Sequence, residues 1–378
     1  MSRLEELIQQ HCPNGVEYKE VQEVAKTTSP KGKLKSNDYL KEGKYPVIDQ
    51  GQSFIGGYTN EEIAFEQGEY VIFGDHTCVV KYVNFSFVQG ADGVKVITAS
   101  DIILPRFLYY CMSNIYMPAD YARHWSKMKV EKIPVPPLPV QEEIVRILDN
   151  FAELQAELQA ELQKRLQQYN YYRDKLLSFN DLNGGGYAVS VKWKKLGDIA
   201  QYAKERVDSS LISTHTYVSV ENLLQNKEGK KDASTVPSGS LIKYEKGDIL
   251  IGNIRPYLKK IWLADIDGGT NGDVLTIRIT NKDIISSYLY HILASDAFFL
   301  YDMSYAKGAK MPRGDKTAVM NYIVPIPPLA EQKRIVDILD RFHTLTTDIT
   351  AGLPAEIEAR RKQYEYYRDQ LLTFKQKA

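Results

Sequence analysis

Four stretches of this chain combine basic side chains with aromatic, glycine or proline residues. Such a mixture contacts phosphates with its cations and leaves rings, forks and amides for base edges. Lys31, Lys33 and Lys35 share a loop with Pro30 and Gly32. Residues 121–132 hold Arg123, His124, Trp125, Lys127, Lys129 and Lys132. Residues 253–260 read NIRPYLKK, with Asn253, Arg255 and Lys259. Residues 305–316 read YAKGAKMPRGDK, with Lys307, Lys310 and Arg313 beside two glycines. Asn253 and Arg255 stand out because asparagine pairs bidentately with adenine and arginine with guanine. Each stretch alone also fits a solvated loop; the four together point to nucleic acid.

No segment carries the spacing of a catalytic centre. The phosphate-cradling GxxxxGK[ST] loop, a GxGxxG after a strand and a GxSxG turn are all absent, and the six histidines (11, 76, 124, 215, 291, 343) form no HExxH. Phe54-Ile55-Gly56-Gly57-Tyr58 reads as a turn, and Gly74-Asp75-His76 as a turn with satisfied side chains. Pro136-Pro137 and Pro327-Pro328 superficially resemble the Asn/Asp-Pro-Pro-aromatic loop of adenine methyltransferases. Val135 and Ile326 stand where the amine acceptor would be, and Leu138 and Leu329 where the aromatic would be. These are helix-entry prolines. Three cysteines (12, 78, 111) without a CxxC fit a reducing compartment and give no zinc site. We expect no catalytic, cofactor-binding or metal-binding residues, and no cofactor.

Formal net charge is zero, so any grip on DNA rests on local patches. No apolar run approaches the ~20 residues that span a bilayer. The charged, amphipathic N-terminus is not a signal peptide. The expectation is a cytoplasmic protein with no membrane contact.

The elements that must position the basic loops are written twice. PPLPVQEEIVRILDNF at 136–151 and PPLAEQKRIVDILDRF at 327–342 match at ten of sixteen positions, at an offset of 191. QYNYYRDKLLSF at 168–179 and QYEYYRDQLLTF at 363–374 match at nine of twelve, at an offset of 195. What precedes each copy hardly matches, so one frame carries two different heads. Within the heads, short apolar runs at 45–48, 69–73, 79–87, 93–97, 249–252, 261–264 and 274–279 read as strands. Residues 107–114 and 288–299 read as equivalent helices. Each head is expected to be a mixed α+β globule.

Between Gln141 and Phe179 there is no Gly or Pro, and apolar residues recur every three or four positions. Those 39 residues would make a rod of roughly 60 Å. The expected seam is Ile144, Phe151, Leu154, Leu158, Leu162, Leu166, Tyr169 and Leu176 on the first rod. Ile335, Phe342, Leu345, Ile349, Ile357, Tyr364 and Leu371 answer them on the second, giving an antiparallel coiled coil and a pseudo-twofold repeat. Pro354 in the second rod should kink or restart it. AELQ occurs three times at 152–163, either as plain helical sequence or as a length-adjusting unit. The expected boundaries are head one at 1–138, helix one at 139–180, a linker at 181–187, head two at 188–329 and helix two at 330–378.

The doubled PPLxxQxxIVxILDxF and QYxYYRDxLLxF resemble the specificity subunit of type I restriction–modification systems, along the whole chain. The resemblance implies that the heads are target-recognition domains, each reading one half of a split DNA sequence. It implies that the helix pair sets the unread gap and anchors two methyltransferase subunits, through which restriction subunits join. Adenine-N6 methylation and ATP-dependent cleavage would then belong to those partners. The rival readings are a two-headed adaptor that binds proteins, and a fused methyltransferase or nuclease with an unrecognised site.

Overall fold

The computed structural model describes residues 3–90, 93–118, 122–179, 190–347 and 352–377. The expected linker 181–187, the seam residue Ile349 and Tyr121 lie outside the described residues. The chain divides into two compact units: Met1–Glu157 with Ile357–Ala378, and Leu158–Glu356.

Unit 1 begins with α1 (Arg3–His11), β1 (Glu17–Glu20), α2 (Val21–Val24) and β2 (Ala25–Thr28). The strands β3 (Tyr45–Ile48), β4 (Gly57–Thr59), β5 (Tyr70–Gly74), β6 (Val80–Val83), β7 (Val88–Gln89) and β8 (Val94–Ala99) follow. Then come α3 (Pro105–Asn114), α4 (Trp125–Met128), β9 (Lys132–Val135) and the long α5 (Leu138–Ser178), which continues into unit 2. Four strands form an antiparallel sheet in the order β2-β8-β5-β6, three form the order β4-β3-β7, and β1 pairs with β9. The buried face of the first sheet, with Val71, Phe73 and Ile97, shares one core with Phe107, Leu108 and Met112 of α3 and Val140, Ile144 and Leu148 of α5.

Unit 2 repeats the plan. Its strands are β10 (Lys192–Lys195), β11 (Ala200–Tyr202), β12 (Arg206–Asp208), β13 (Tyr217–Val218), β14 (Ser240–Tyr244), β15 (Ile249–Gly252), β16 (Ile261–Leu263), β17 (Gly268–Thr270) and β18 (Val274–Ile279). They are followed by α6 (Ser286–Leu293), α7 (Asp296–Tyr305), α8 (Lys316–Asn321), β19 (Ile323–Ile326) and α9 (Leu329–Thr347). The last helix, α10 (Gly352–Leu371), spans the boundary back into unit 1. The sheet orders are β11-β18-β15-β16, β12-β14-β17-β13 and β10-β19. The α+β class and the tandem repeat are thus as the sequence predicts.

The shared motifs make the same contacts in each unit. The glutamine of PPLxxQ is fully buried in both. Gln141 Nε2 donates to the carbonyls of Ile102 (2.9 Å) and Pro136 (2.6 Å), and its Oε1 accepts from the Leu104 N–H (2.8 Å). Gln332 Nε2 donates to Asp283 O and Pro327 O (both 2.8 Å), and its Oε1 accepts from Ile285 N (3.0 Å). One side chain thus ties the helix entry to the loop before α3 or α6, which cannot pair its own backbone. The aspartate of ILDxF anchors the same head helix. Asp149 takes the Tyr110 hydroxyl and Arg106 Nε (2.8 Å) in unit 1, and Asp340 takes His291 Nε2 (2.9 Å) in unit 2.

The helix pairs are antiparallel within each unit. In unit 1, Phe151 stacks on Tyr367 (centroids 5.6 Å, 23°), while Ile144 shares a core with Leu371 and Leu372. In unit 2, Tyr172 stacks on Phe342 (6.0 Å, 26°), while Leu177 shares a core with Ile335 and Leu339. The second block of one copy therefore meets the first block of the other. Of the expected seam, Ile144 and Ile335 are buried. Phe151, Leu158, Leu162, Leu166, Tyr169, Leu176, Phe342, Ile357, Tyr364 and Leu371 are half-buried, and Leu154 and Leu345 are exposed.

One sequence expectation changes in detail, and the restart expected at Pro354 is met. The helix read over 288–299 is two helices, because Ser295 turns extended (φ −70°, ψ 154°) and its hydroxyl accepts from Phe298 N to start α7. The second rod is also two helices. Gly352 opens α10 in a left-handed conformation (φ +75°), where a Cβ would lie 2.8 Å from the Leu345 carbonyl, and Pro354 falls in the first turn, where its missing N–H costs nothing. After α10 the chain ends against β1's approach: Val16 N donates to Lys375 O (2.8 Å), Lys377 N donates to Val16 O (2.9 Å), and Phe374 O accepts the Tyr18 hydroxyl (3.0 Å).

Candidate nucleic-acid interface

In each head a candidate loop attaches at the end of the central strand. In unit 1, β5 runs out at Gly74. Asp75 N then donates to Gly93 O (2.6 Å), and Asp75 O accepts from His124 N (2.8 Å). The Asp75 carboxylate accepts from Trp125 N (2.7 Å), so α4 takes its N-terminal cap from a different loop. The Trp125 ring packs on Phe73 at 5.9 Å, half-buried. Gln50 joins this corner: its Oε1 accepts from His76 N (3.3 Å) and its carbonyl from the Thr77 hydroxyl (2.6 Å).

Beneath, Lys81 is buried and its ammonium donates to the carbonyls of Asp49 (2.8 Å) and Ser53 (2.6 Å). Burial pushes its pKa down, and the Asp49 carboxylate opposes that shift. The lysine holds the 49–54 loop in place. The 31–35 loop joins from the other side, through Leu34 N to Gln89 O (3.1 Å) and Gly90 N to Ile48 O (2.9 Å). The neighbours of both basic stretches, Gly90 on one side and His76 and Thr77 on the other, thus bond to the segment 48–50. Lys33, Lys35, Arg123 and Lys127 are exposed, and Lys129 is half-buried. Lys31 is exposed and faces Glu66 at 3.7 Å.

Unit 2 builds the equivalent corner from different residues. β15 ends at Gly252, and Asn253 N donates to Asp273 O (2.9 Å) while Asn253 O accepts from Gly314 N (3.2 Å). The 305–316 loop is zipped shut by paired hydrogen bonds between Lys307 and Arg313, both 2.9 Å. It is then laid on the first loop by Arg255 N to Pro312 O (2.7 Å) and an Ile254–Arg313 bridge. Asn253, Arg255, Lys307 and Arg313 are therefore brought together. Arg255, Lys307, Lys310 and Arg313 are exposed. Asn253 is not: at 5% exposure its side chain faces inward and supports the loop from below. Lys307 pairs with Asp315 (3.0 Å), which also caps α8 through Thr317 N and Ala318 N. The Lys307 contact, with those two amides, holds the Asp315 carboxyl below its ordinary range.

Lys259 lies apart from that cluster. Its ammonium shares Asp296 Oδ1 with Lys227, at 3.0 and 2.8 Å. Burial would raise the Asp296 carboxyl, yet the two ammoniums hold it at about 2. Asp302 has no such help. Fully buried beneath Gly314, its two oxygens have no hydrogen-bond partner, and burial, with Asp315 nearby, pushes it up to about 6. The sequence reading gave Asp75 only as part of a turn and missed Gln50, Asp273 and Asp302, all supports of the exposed cations. Only Asp315 carried a local signal, as an N-cap before a helical run. Among the described residues no group of three or more His, Cys, Asp or Glu could hold a metal ion, and no helix is long and apolar enough to cross a membrane.

The profile described as type I restriction modification DNA specificity domain matches residues 13–168 and again 189–359. The specificity subunit of a type I restriction enzyme from Escherichia coli is 33% identical over 95% of this chain and 94% of its own length. A solved S subunit of a type I restriction–modification system from M. genitalium aligns with a TM-score of 0.54 at 15% identity, over 94% of this chain and 95% of that one. A second solved chain, from a study of complex assembly and conformational transition in a type I system, gives 0.56 at 16%, over 96% and 98%.

Proposed function

The chain belongs to the family of type I restriction–modification DNA specificity subunits, and on that premise we propose that each of its heads reads one half of a split DNA target. As a specificity subunit it has a recognition role and associates with other restriction–modification subunits. The observation that carries the finer reading is a duplicated frame under two unlike corners. The motif residues Gln141 and Gln332, Asp149 and Asp340, and Phe151 and Phe342 do the same work twice, while the exposed cations differ in type and placement.

In this reading Lys33, Lys35, Arg123 and Lys127 of unit 1, and Arg255, Lys307, Lys310 and Arg313 of unit 2, contact double-stranded DNA. Lys31, Trp125, Lys129 and Lys259 flank those contacts, and Asn253 supports them. Zero net charge leaves part of the grip to two methyltransferase subunits docked on the helices, through which restriction subunits join. Those partners carry adenine-N6 methylation and ATP-dependent cleavage in the cytoplasm. The heads are the target-recognition domains, over 1–138 and 188–329, and the helices over 139–180 and 330–378 set the unread gap.

The test is a genome-wide map of methylated adenine in the native host, with the gene intact, deleted, or lacking residues 156–159. Loss of four helical residues shortens α5 by ~6 Å, roughly two base pairs at ~3.4 Å each. The expected result is a split motif that vanishes on deletion of the gene and keeps both halves but loses one or two base pairs of gap in the shortened form. A motif unaffected by deletion of the gene would sink the reading.

A further inference from the structure

Among the exposed arginines of the two corners, Arg313 is held at both its backbone and its guanidinium. Its N–H and carbonyl both pair with Lys307, at 2.9 Å. Its neighbours are pinned on either side, by Arg255 N to Pro312 O (2.7 Å) and Gly314 N to Asn253 O (3.2 Å). Gly314 has no room to move or to carry a side chain: a Cβ there would lie 2.4 Å from Asp302 Oδ1 and 2.9 Å from Asn253 Oδ1. The guanidinium is fixed as well, since Nη2 donates to Asp273 Oδ1 at 3.1 Å. Asp273 is fixed in turn, because its carbonyl accepts from Asn253 N (2.9 Å) and its own N–H donates to Asn271 Oδ1 (3.1 Å). Even so, the Arg313 side chain is 59% exposed.

An exposed ion pair of this kind contributes little to stability. Its consequence is geometric. Arginine offers five N–H donors in a planar fork. With one nitrogen tied to a carboxylate, the remaining donors keep one orientation, and the entropy of fixing a long side chain is already spent before any ligand arrives. Two parallel donors held in a plane match the O6 and N7 acceptors of guanine in the major groove. A phosphate contact needs no such bracing, because a mobile lysine can make it as a point charge.

We propose that Arg313, braced by Asp273, is the residue with which unit 2 reads a guanine, so that this head's half-site contains a G·C pair where Arg313 meets it. The proposal rests on the DNA-recognition reading above and adds a base identity and a bracing residue to it. Asp273 is a positioning residue: it acts through Arg313.

The experiment selects bound sequences from a pool of randomised duplexes. The native complex, purified from its host through a tag on this chain, is compared with complexes carrying R313K, R313Q and D273N. The wild type should enrich a guanine at one position that R313Q relaxes, with every other position unchanged. A bidentate contact worth ~1–3 kcal/mol corresponds to a loss of about 5- to 150-fold in preference at that position. R313K is the discriminating variant. It keeps the charge, so affinity for random duplex and its salt slope should stay near wild type, while the guanine preference falls as in R313Q. D273N should lose part of the preference with the salt slope kept. Thermal midpoints within a degree or two of wild type establish that all three variants fold. A guanine preference intact in R313K would overturn the proposal, because charge alone would then suffice. So would an R313Q complex that selects the same bases as wild type. A wild-type complex with no sequence preference at all would instead remove the recognition reading on which the proposal stands.

Discussion

Replacing Gln332 by methionine keeps most of the side chain's volume and removes all of its hydrogen bonding. Three backbone groups would lose their partner: the buried Pro327 O and the part-buried Asp283 O, each at 2.8 Å from Nε2, and the part-buried Ile285 N, at 3.0 Å from Oε1. A buried polar group left unpaired costs ~1–3 kcal/mol. With one such buried group and two part-buried bonds worth ~0.5–1.5 kcal/mol each, we expect a loss of about 2–6 kcal/mol, a large share of the roughly 5–15 kcal/mol that holds a domain folded. Amide hydrogen exchange read by mass spectrometry localises the effect. The peptide containing Ile285 should exchange at least about tenfold faster, since ~1.4 kcal/mol is a factor of ten. Gln141→Met should do the same to the peptide containing Leu104, because the three contacts are repeated there at 2.6–2.9 Å. A loss below about 1 kcal/mol in both variants would refute the reasoning, as it would mean that water or alternative pairing satisfies the loop without the glutamine.

Three further outcomes follow from the same geometry. Asp302→Asn should stabilise the protein at pH 7–8 by up to about 3 kcal/mol, since a carboxyl raised from 3.8 to about 6 in the fold penalises the native state once ionised. That penalty is absent below pH 4 and complete above pH 6, so urea midpoints of variant and wild type should converge in acid; a gain independent of pH would refute it. Lys81→Met should speed hydrogen exchange across residues 49–54 and leave unit 2 unchanged, because the ammonium is what gathers those carbonyls; unchanged exchange there would show that the loop holds itself. Phe151→Ala and Phe342→Ala should each cost ~1–3 kcal/mol, as half-buried rings stacked on tyrosine, with faster exchange confined to units 1 and 2 respectively. Effects that cross over would contradict the helix pairing described here.

The frame was legible in the sequence because it is local and repeated. An unbroken three-four periodicity marks α5, and identical residues at fixed offsets mark the duplication. The strands of the central sheets were legible for the same reason, as short apolar runs between turn residues. Contacts distant in the chain left no such trace. Gln141 and Gln332 stand among the repeated letters, yet nothing in the sequence says that each reaches the carbonyl and amide groups of a loop 39 and 49 residues upstream, respectively. The Asn253 side chain read as a base contact from its type alone, and the structure turns it inward because Gly314 closes over it. Leu154 and Leu345 sit in the apolar stripe and remain exposed. Ser295 ended a helix inside an apolar run, where one hydroxyl outweighed the periodicity.

The end of the chain is sewn to its beginning: residues 374–377 pair with Val16 and Tyr18, and Tyr364 and Leu371 complete the core that Val21 and Phe107 begin. On a ribosome this inverts the usual order of assembly, in which the N-terminal domain folds first. Unit 2 is one continuous stretch and can close while the last helix is still being made. Unit 1, though its first residues are synthesised earlier, must wait with part of its core open until α10 is made. A transcript truncated anywhere before α10 would therefore release a chain whose older half is the unfinished one. Quality control that recognises exposed apolar surface would then remove incomplete specificity subunits before they could compete for partners.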